Sequence, residues 1–133
     1  MDITAKARFV RMSPRKVRLV ANTIRGLGVA KAEEGLSFMK QHASEPIMKL
    51  LKSAIANAEH NFKLSSEKLF VKTITVDGGP VYKRWTPKAF GRATPIRHRT
   101  SHISLILSEK EVEPESKAKK ETKSKKKPVK KNV

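Results

Sequence analysis

The sequence predicts an α+β fold, with helices first and a long antiparallel hairpin after them. Apolar residues recur at helical spacing between residues 13 and 58, then at a period of two from Leu69 onward. Between the two strand bases lies a stretch with neither period. Residues 80–99 hold six Lys or Arg, no acid, and the aromatics Tyr82, Trp85 and Phe90.

Residues 3–11 mix apolar and basic side chains and predict a short strand. Ser13-Pro14 then reads as a helix start, with Ser as the N-cap and Pro at the first helical position. Val17, Val20, Ala21 and Ile24 form its buried stripe, and Arg15, Arg18, Asn22 and Arg25 fall on another face. Gly26 stops the helix. A second helix is expected over about 29–40, with Val29, Ala32, Leu36 and Met39 inward and Gly35 weakening it. Ser44 is expected to cap a third helix with Pro46 in its first turn. Ile47, Leu50, Leu51, Ala54, Ile55 and Ala58 give that helix a broad apolar stripe, which makes it the central core element. Phe9, Phe38 and Phe62 sit in these periodic segments and are expected in the core.

Ile74 and Val76 alternate with Thr73, Thr75 and Asp77, and Ile103, Leu105 and Leu107 with Ser104 and Ile106. These are the paired, half-buried bases of the hairpin. Gly78-Gly79-Pro80 marks a bend or bulge where the arm departs. Gly91 is the expected tip, with a positive φ. Extended from Gly79 to Gly91, the arm reaches about 40 Å at roughly 3.3 Å per residue. Pro87 and Pro95 fit because each strand of a lone ribbon keeps an unpaired edge. An isolated ribbon is marginal in water, so the arm is expected to be mobile until bound.

The chain carries 30 Lys+Arg against 12 Asp+Glu, a formal charge of +18. Residues 109–133 contribute only +5 of this, from ten Lys and five Glu, so residues 1–108 are themselves at +13. All nine Arg lie in residues 1–108. Arg binds phosphate in a bidentate way and stacks on rings, which places specific docking in the body. The sequence therefore divides into a binding domain over 1–108, with its arm at about 79–100, and a disordered basic tail over 109–133. Phosphates for the cations and bases for the aromatics make a nucleic acid the partner that suits the arm. The competing reading of the three aromatics is a local cluster folded back onto the body.

Reaction chemistry finds little support. His98 and His102 lie about 13 Å apart on a strand, too far to share a metal ion. Glu59-His60 has no third ligand at suitable spacing, and no phosphate-binding glycine loop is present. No enzyme, metal or cofactor is expected. With no Cys, disulfides and thiolate metal sites are excluded. No run of about 18 apolar residues exists to span a membrane. The start, Met1-Asp2-Ile3-Thr4, has no secretory apolar segment, so a cytoplasmic location is the default.

Three stretches resemble one known family. They are Ser13-Pro14-Arg15-Lys16-Val17-Arg18-Leu19-Val20, then Ser53-Ala54-Ile55-Ala56-Asn57-Ala58-Glu59-His60-Asn61, then Gly91-Arg92-Ala93 with Arg99-Thr100-Ser101-His102-Ile103. In order and spacing they are similar to the bacterial large-subunit ribosomal protein numbered twenty-two, over roughly residues 3–108. The resemblance implies three helices packed on a small antiparallel sheet, with one hairpin extended far from the body. It implies binding to several domains of large-subunit rRNA, help in early subunit assembly, and a hairpin that lines the nascent-peptide exit tunnel. Neighbouring large-subunit proteins and the nascent polypeptide are the further partners implied, with no homo-oligomer and no membrane. Lys83, Arg84, Lys88, Ala89, Phe90, Gly91 and Arg92 become the candidates for the tunnel tip. The family often has other residues where Tyr82, Trp85 and Phe90 stand, so a stacking role for them comes from this chain's own chemistry. The full set of candidate RNA contacts is Arg8, Arg11, Arg15, Lys16, Arg18 and Arg25 in the body, then Tyr82, Lys83, Arg84, Trp85, Lys88, Phe90, Arg92, Arg97, His98 and Arg99 in the arm.

Two other readings stay open on charge alone. A basic ribbon with Pro near its tip also suits an architectural protein that wedges into a DNA minor groove. The Lys tail could bind anionic lipid, weakly, since it has no apolar face.

Overall fold

In the computed structural model, which describes residues 2–109, Pro14 opens helix α1 (Pro14–Ile24) as the sequence predicts. Ser13 occupies the N-cap position, but its hydroxyl makes no capping bond; its carbonyl accepts the amides of Lys16 and Val17. Val17, Val20, Ala21 and Ile24 are all buried. Gly26 then takes φ +78°, a conformation that costs Gly almost nothing, and the helix ends. Helix α2 (Val29–Phe38) is shorter than expected, and Met39 sits at its C-cap, half-buried against the core.

Helix α3 (Ser44–Phe62) buries Ile47, Leu50, Leu51, Ala54 and Ala58. Leu51 is fully enclosed, which contributes about 1.5–3 kcal/mol relative to an exposed side chain. Ser44 does not cap this helix. It lies inside the first turn, and its buried hydroxyl donates back to the carbonyls of Met39 and Gln41. At the other end Lys63 adopts φ +52°, its amide bonding Glu59 O while the Leu64 amide reaches Ala58 O. This is an αL cap with Lys where Gly is usual, and Leu64 packs against the core just beyond it.

The sheet has three antiparallel strands in the order β1 (Asp2–Val10), β3 (Ala93–Glu109), β2 (Leu69–Pro87). One face carries Ile3, Leu69, Val71, Ile74, Val76, Ile103, Leu105 and Leu107 into the core, under the three helices. Helix α1 lies against β2 and α3 against β1. A bulge at Lys72 adds one residue to β2, because Val71 faces Leu107 while Thr73 faces Ile106. That extra residue resets the alternation, so Leu69 and Val71 point the same way as Ile74 and Val76. Lys72 is freed to reach the Asp2 carboxylate at 2.7 Å, and this ammonium holds the Asp2 carboxyl below its ordinary pKa.

The outer edge of β2 is covered rather than left open. The Gly26 amide donates to Val71 O, and the Val71 amide to Leu27 O. Arg18 donates two hydrogen bonds to Val76 O, and Arg25 one to Ile74 O.

The three phenylalanines expected in the core are not there. Phe38 lies two positions past Leu36, off the buried stripe of α2, and is 79% exposed. Phe62 is exposed on the last turn of α3, where the αL cap at Lys63 ends the helix. Phe9 is displaced by a second bulge, in which Arg8 and Phe9 together oppose His102. Phe9 takes φ +59°, and the next residue, Val10, is the one that packs against the core.

A third bulge stands where the arm leaves the body, between Gly78↔Ser101 and Val81↔Arg99, at the predicted Gly-Gly-Pro. Here only one glycine is demanded by contact. A Cβ on Gly79 would overlap the Thr100 hydroxyl and crowd the His102 ring, whereas one on Gly78 would meet open space. Gly79→Ala is expected to lower unfolding stability by about 1–3 kcal/mol through overpacking. Gly78→Ala should change it by less than about 0.5 kcal/mol. Denaturant midpoints of the two variants measure the contrast.

Candidate nucleic-acid interface

The β2–β3 ladder does not stop at the edge of the core. It continues from Val81↔Arg99 to Pro87↔Ala93 as a two-stranded ribbon. A turn closes it, in which the Lys88 amide donates to Arg92 O and the Arg92 amide to Ala89 O. Gly91 has the positive φ expected of it, +67°, and Phe90 shares that region at +59°. Between residues 81 and 99 only Thr86 is less than exposed. Trp85 stands in solvent and Phe90, at the tip, is 98% exposed. The aromatics therefore do not fold back as a cluster on the body.

Residues opposite each other in the ladder share a face of the ribbon. Lys83 faces Arg97 directly, and Val81 faces Arg99. Tyr82 faces His98 and Arg84 faces Ile96, on the other side. A like-charge pair placed opposite across a ladder costs about 0.2–1 kcal/mol. No acid among the described residues pairs with either cation. Among the described residues, the ion pairs are Lys49–Glu45, Lys52–Glu33 and Lys72–Asp2, and none includes an arm cation. The ribbon thus holds its cations at fixed spacing without a paired acid among the described residues.

At its base the arm forms one wall of a cleft of about 1010 Å³. Tyr82, Arg84, Arg97, His98 and Arg99 line that wall; Arg11, Ser13, Lys16 and Leu19, around the start of α1, line the other. Five Lys or Arg and two His, His42 being the second, meet there without an acid. The first turn of α1 carries no acidic residue and no side-chain cap, so its free amide and dipole add to the positive field. Gln41, His42 and Ala43 come to this cleft from the α2–α3 connection. No local signal marks them in the sequence; they arrive only through the tertiary fold.

The predicted residues thus separate into groups. Arg11, Lys16, Tyr82, Arg84, Arg97, His98 and Arg99 converge on the cleft. Lys83, Trp85, Lys88, Phe90 and Arg92 extend along the arm to its tip, and Arg15 stands exposed on α1. Arg8 lies apart, in a smaller depression on β1. Arg18 and Arg25 have a structural task that the sequence reading did not assign them. Although both are exposed, their guanidiniums are held on the edge carbonyls of β2, because α1 crosses that edge at these two positions. Among the described residues no group of three His, Cys, Asp or Glu is placed to hold a metal ion, and no helix is long and apolar enough to cross a membrane.

Residues 5–108 match the family model described as ribosomal protein L22p/L17e, which covers nearly all of the described fold. The chain belongs to that family. Among its curated relatives is the large ribosomal subunit protein uL22 of Deinococcus radiodurans, 54% identical over 106 residues, which cover 80% of this chain and 79% of that protein. The protein of the same name from Trichlorobacter lovleyi is 51% identical over 109 residues, covering 82% of this chain and 96% of the relative. That of Desulfitobacterium hafniense is 53% identical over 106 residues, or 80% and 93%. The family match ends at Ser108, within the last described strand, and leaves the Lys-rich segment outside it. Family membership also accounts for a site built from cations, amides and rings: a ribosomal protein of this kind is structural and performs no reaction.

The two kinds of arginine on α1 are separable by experiment. Arg18→Ala removes both hydrogen bonds to Val76 O and is expected to destabilise the fold by about 1 kcal/mol. Arg15→Ala should leave stability within about 0.5 kcal/mol of the parent. Thermal unfolding of the two variants measures the difference.

Proposed function

We propose that this protein is a structural constituent of the large ribosomal subunit, bound to the ribosome in the cytoplasm. It binds large-subunit rRNA, with the body at the cleft and the arm threaded among RNA segments of several domains. The observation that carries this reading is the acid-free ribbon that extends beyond the core with its like charges facing each other. Phosphate oxygens between Lys83 and Arg97 turn their repulsion into two charge-assisted contacts. Each neutralised phosphate releases a counterion, which drives binding entropically. Arg guanidiniums at positions 84, 92, 97 and 99 bridge or stack on neighbouring nucleotides. Trp85 and Phe90 offer their rings to unpaired bases. RNA thus pins a ribbon that is marginal alone, and the ribbon in turn fixes RNA segments against each other, which is how the protein assists early assembly.

In the same reading the tip from Lys88 to Arg92 forms part of the exit-tunnel wall, with Phe90 and the cations near it facing the nascent polypeptide. Neighbouring ribosomal proteins complete the surroundings. The DNA-wedge reading explains the ribbon's charge but not the L22 family match, and the lipid reading, which rests on the Lys tail, leaves that match unexplained as well.

Replacing Lys83, Arg84, Lys88 and Arg92 together by Ala is expected to flatten the salt dependence of rRNA binding by about three units of slope, at ~0.7–0.9 per lost contact. The fold should remain, since all four side chains are outside the core. Filter binding to transcribed large-subunit rRNA across a salt series gives the slope, and an unaltered slope would remove the arm from the interface. In sucrose gradients of lysate, the intact chain is expected to sediment with the large subunit even at high salt. Migration with the nucleoid would return the DNA reading to first place.

A further inference from the structure

The bulge on β1 presents an aromatic side chain that the cleft and the arm do not use. We infer that Phe9, with Lys6 and Arg8, forms a second RNA-contact site that takes one unpaired nucleotide, its base stacked on the phenyl ring and its phosphates on the two cations. This rests on the RNA-binding reading above but concerns a separate surface, since its depression shares no residue with the cleft.

Backbone strain is the first argument. Residue 9 holds φ +59°, a region that Gly enters freely and a bulky side chain rarely does. Position 9 is the extra residue of a bulge, where Gly is the residue that costs least. A Phe held there calls for a use of its ring, and the core does not supply one, because the residue is 57% exposed.

The second argument is how firmly the ring is held. The Phe9 amide donates to His102 Nδ1 at 3.0 Å, and the phenyl and imidazole rings meet edge to face with centroids 4.8 Å apart. Backbone and side chain are thus both fixed by the same histidine. A single edge-to-face neighbour covers at most one face of the phenyl, so a flat surface remains for a base.

Charge is the third. Lys6 and Arg8 line the depression of about 300 Å³ beside the ring, together with His102 and Ser104, and no acid lines it. The acid nearest in register is Asp77, which pairs with His102 from the far strand of the sheet, two strands from Phe9. Cations beside a rigid ring suit a nucleotide better than an apolar protein surface.

The test uses the full chain and transcribed large-subunit rRNA. Phe9→Gly relaxes the backbone while deleting the ring, and Phe9→Tyr keeps a stacking face. Phe9→Gly is expected to weaken rRNA binding about 5- to 100-fold, the loss typical of one base–aromatic stack, with an unchanged salt slope and no fall in melting temperature. Phe9→Tyr should bind as the parent does. Ultraviolet irradiation of the parent complex should leave a nucleotide adduct within residues 6–11. Undiminished binding by Phe9→Gly would overturn the inference. So would adducts confined to the arm and cleft, which would leave Phe9 facing a neighbouring protein or solvent. An Arg84→Ala/Arg97→Ala variant run in parallel separates the two sites. If it keeps the parent's salt slope while Phe9→Gly loses affinity, the cleft reading fails and the Phe9 site stands.

Discussion

Leu69 pairs with Glu109 at one end of the β2–β3 ladder, and Pro87 with Ala93 at the other. The arm and the spacing of its cations depend on that one run of pairing. Its inner half is locked by buried side chains, Val71, Ile74 and Val76 on β2 and Ile103, Leu105 and Leu107 on β3. A slip of one residue there would turn each of these to water, so the register is strongly specified. The outer half has no core to specify it. It inherits the register, and with it the positions of its cations, from strands whose own reasons for pairing lie below Gly78. The core is in this sense a clamp on one end of a tool.

The bulge at the root decides how the inherited register is used. An extra residue increases the local twist and aims the ribbon away from the sheet. It is sustained by Gly79, which leaves room for the Thr100 hydroxyl to donate to Pro80 O at 2.7 Å. The arm therefore leaves the body alongside the start of α1, and the cleft is the space between them. Arginines at 18 and 25 work on the opposite problem. They occupy carbonyls of the β2 edge that would otherwise accept another strand. A chain rich in Arg thus commits two of them to its own fold.

Much of this was legible in the sequence, for identifiable reasons. The stripe of α1 and the alternation of β3 follow directly from apolar spacing, and both appear residue for residue. The acid-free arm was visible because charge and aromatic content are local properties. The bulge at Gly78-Gly79-Pro80 was marked by its glycines, but those at Phe9 and Lys72 were not visible. A one-residue insertion leaves no mark on a period-two pattern until the partner strand is known, which is why Phe9 was misassigned to the core. Phe38 was misassigned because it lies two positions off the stripe that Leu36 continues, and Phe62 because α3 ends at it, where the core no longer covers the helix. Ser44 has the chemistry of a cap but sits one position too late to act as one. The cleft was beyond reach, since its walls come from the start of α1, the α2–α3 connection and the arm, which only the folded sheet brings together.

Strand β1 pairs with β3 from Asp2↔Ser108 onward, and the three helices and β2 lie between them in the chain. A chain made from its N-terminus therefore produces β1 long before the strand that will hold it. Helices α1 to α3 form from contacts close in sequence, and β2 and β3 meet through a hairpin, but β1 has only distant contacts. Until β3 emerges, Ile3 and its neighbours have no sheet to join. Closure of the N-terminal strand must therefore wait until β3 has been made. The Phe9 bulge and its histidine, which need both strands, come into being only at that moment.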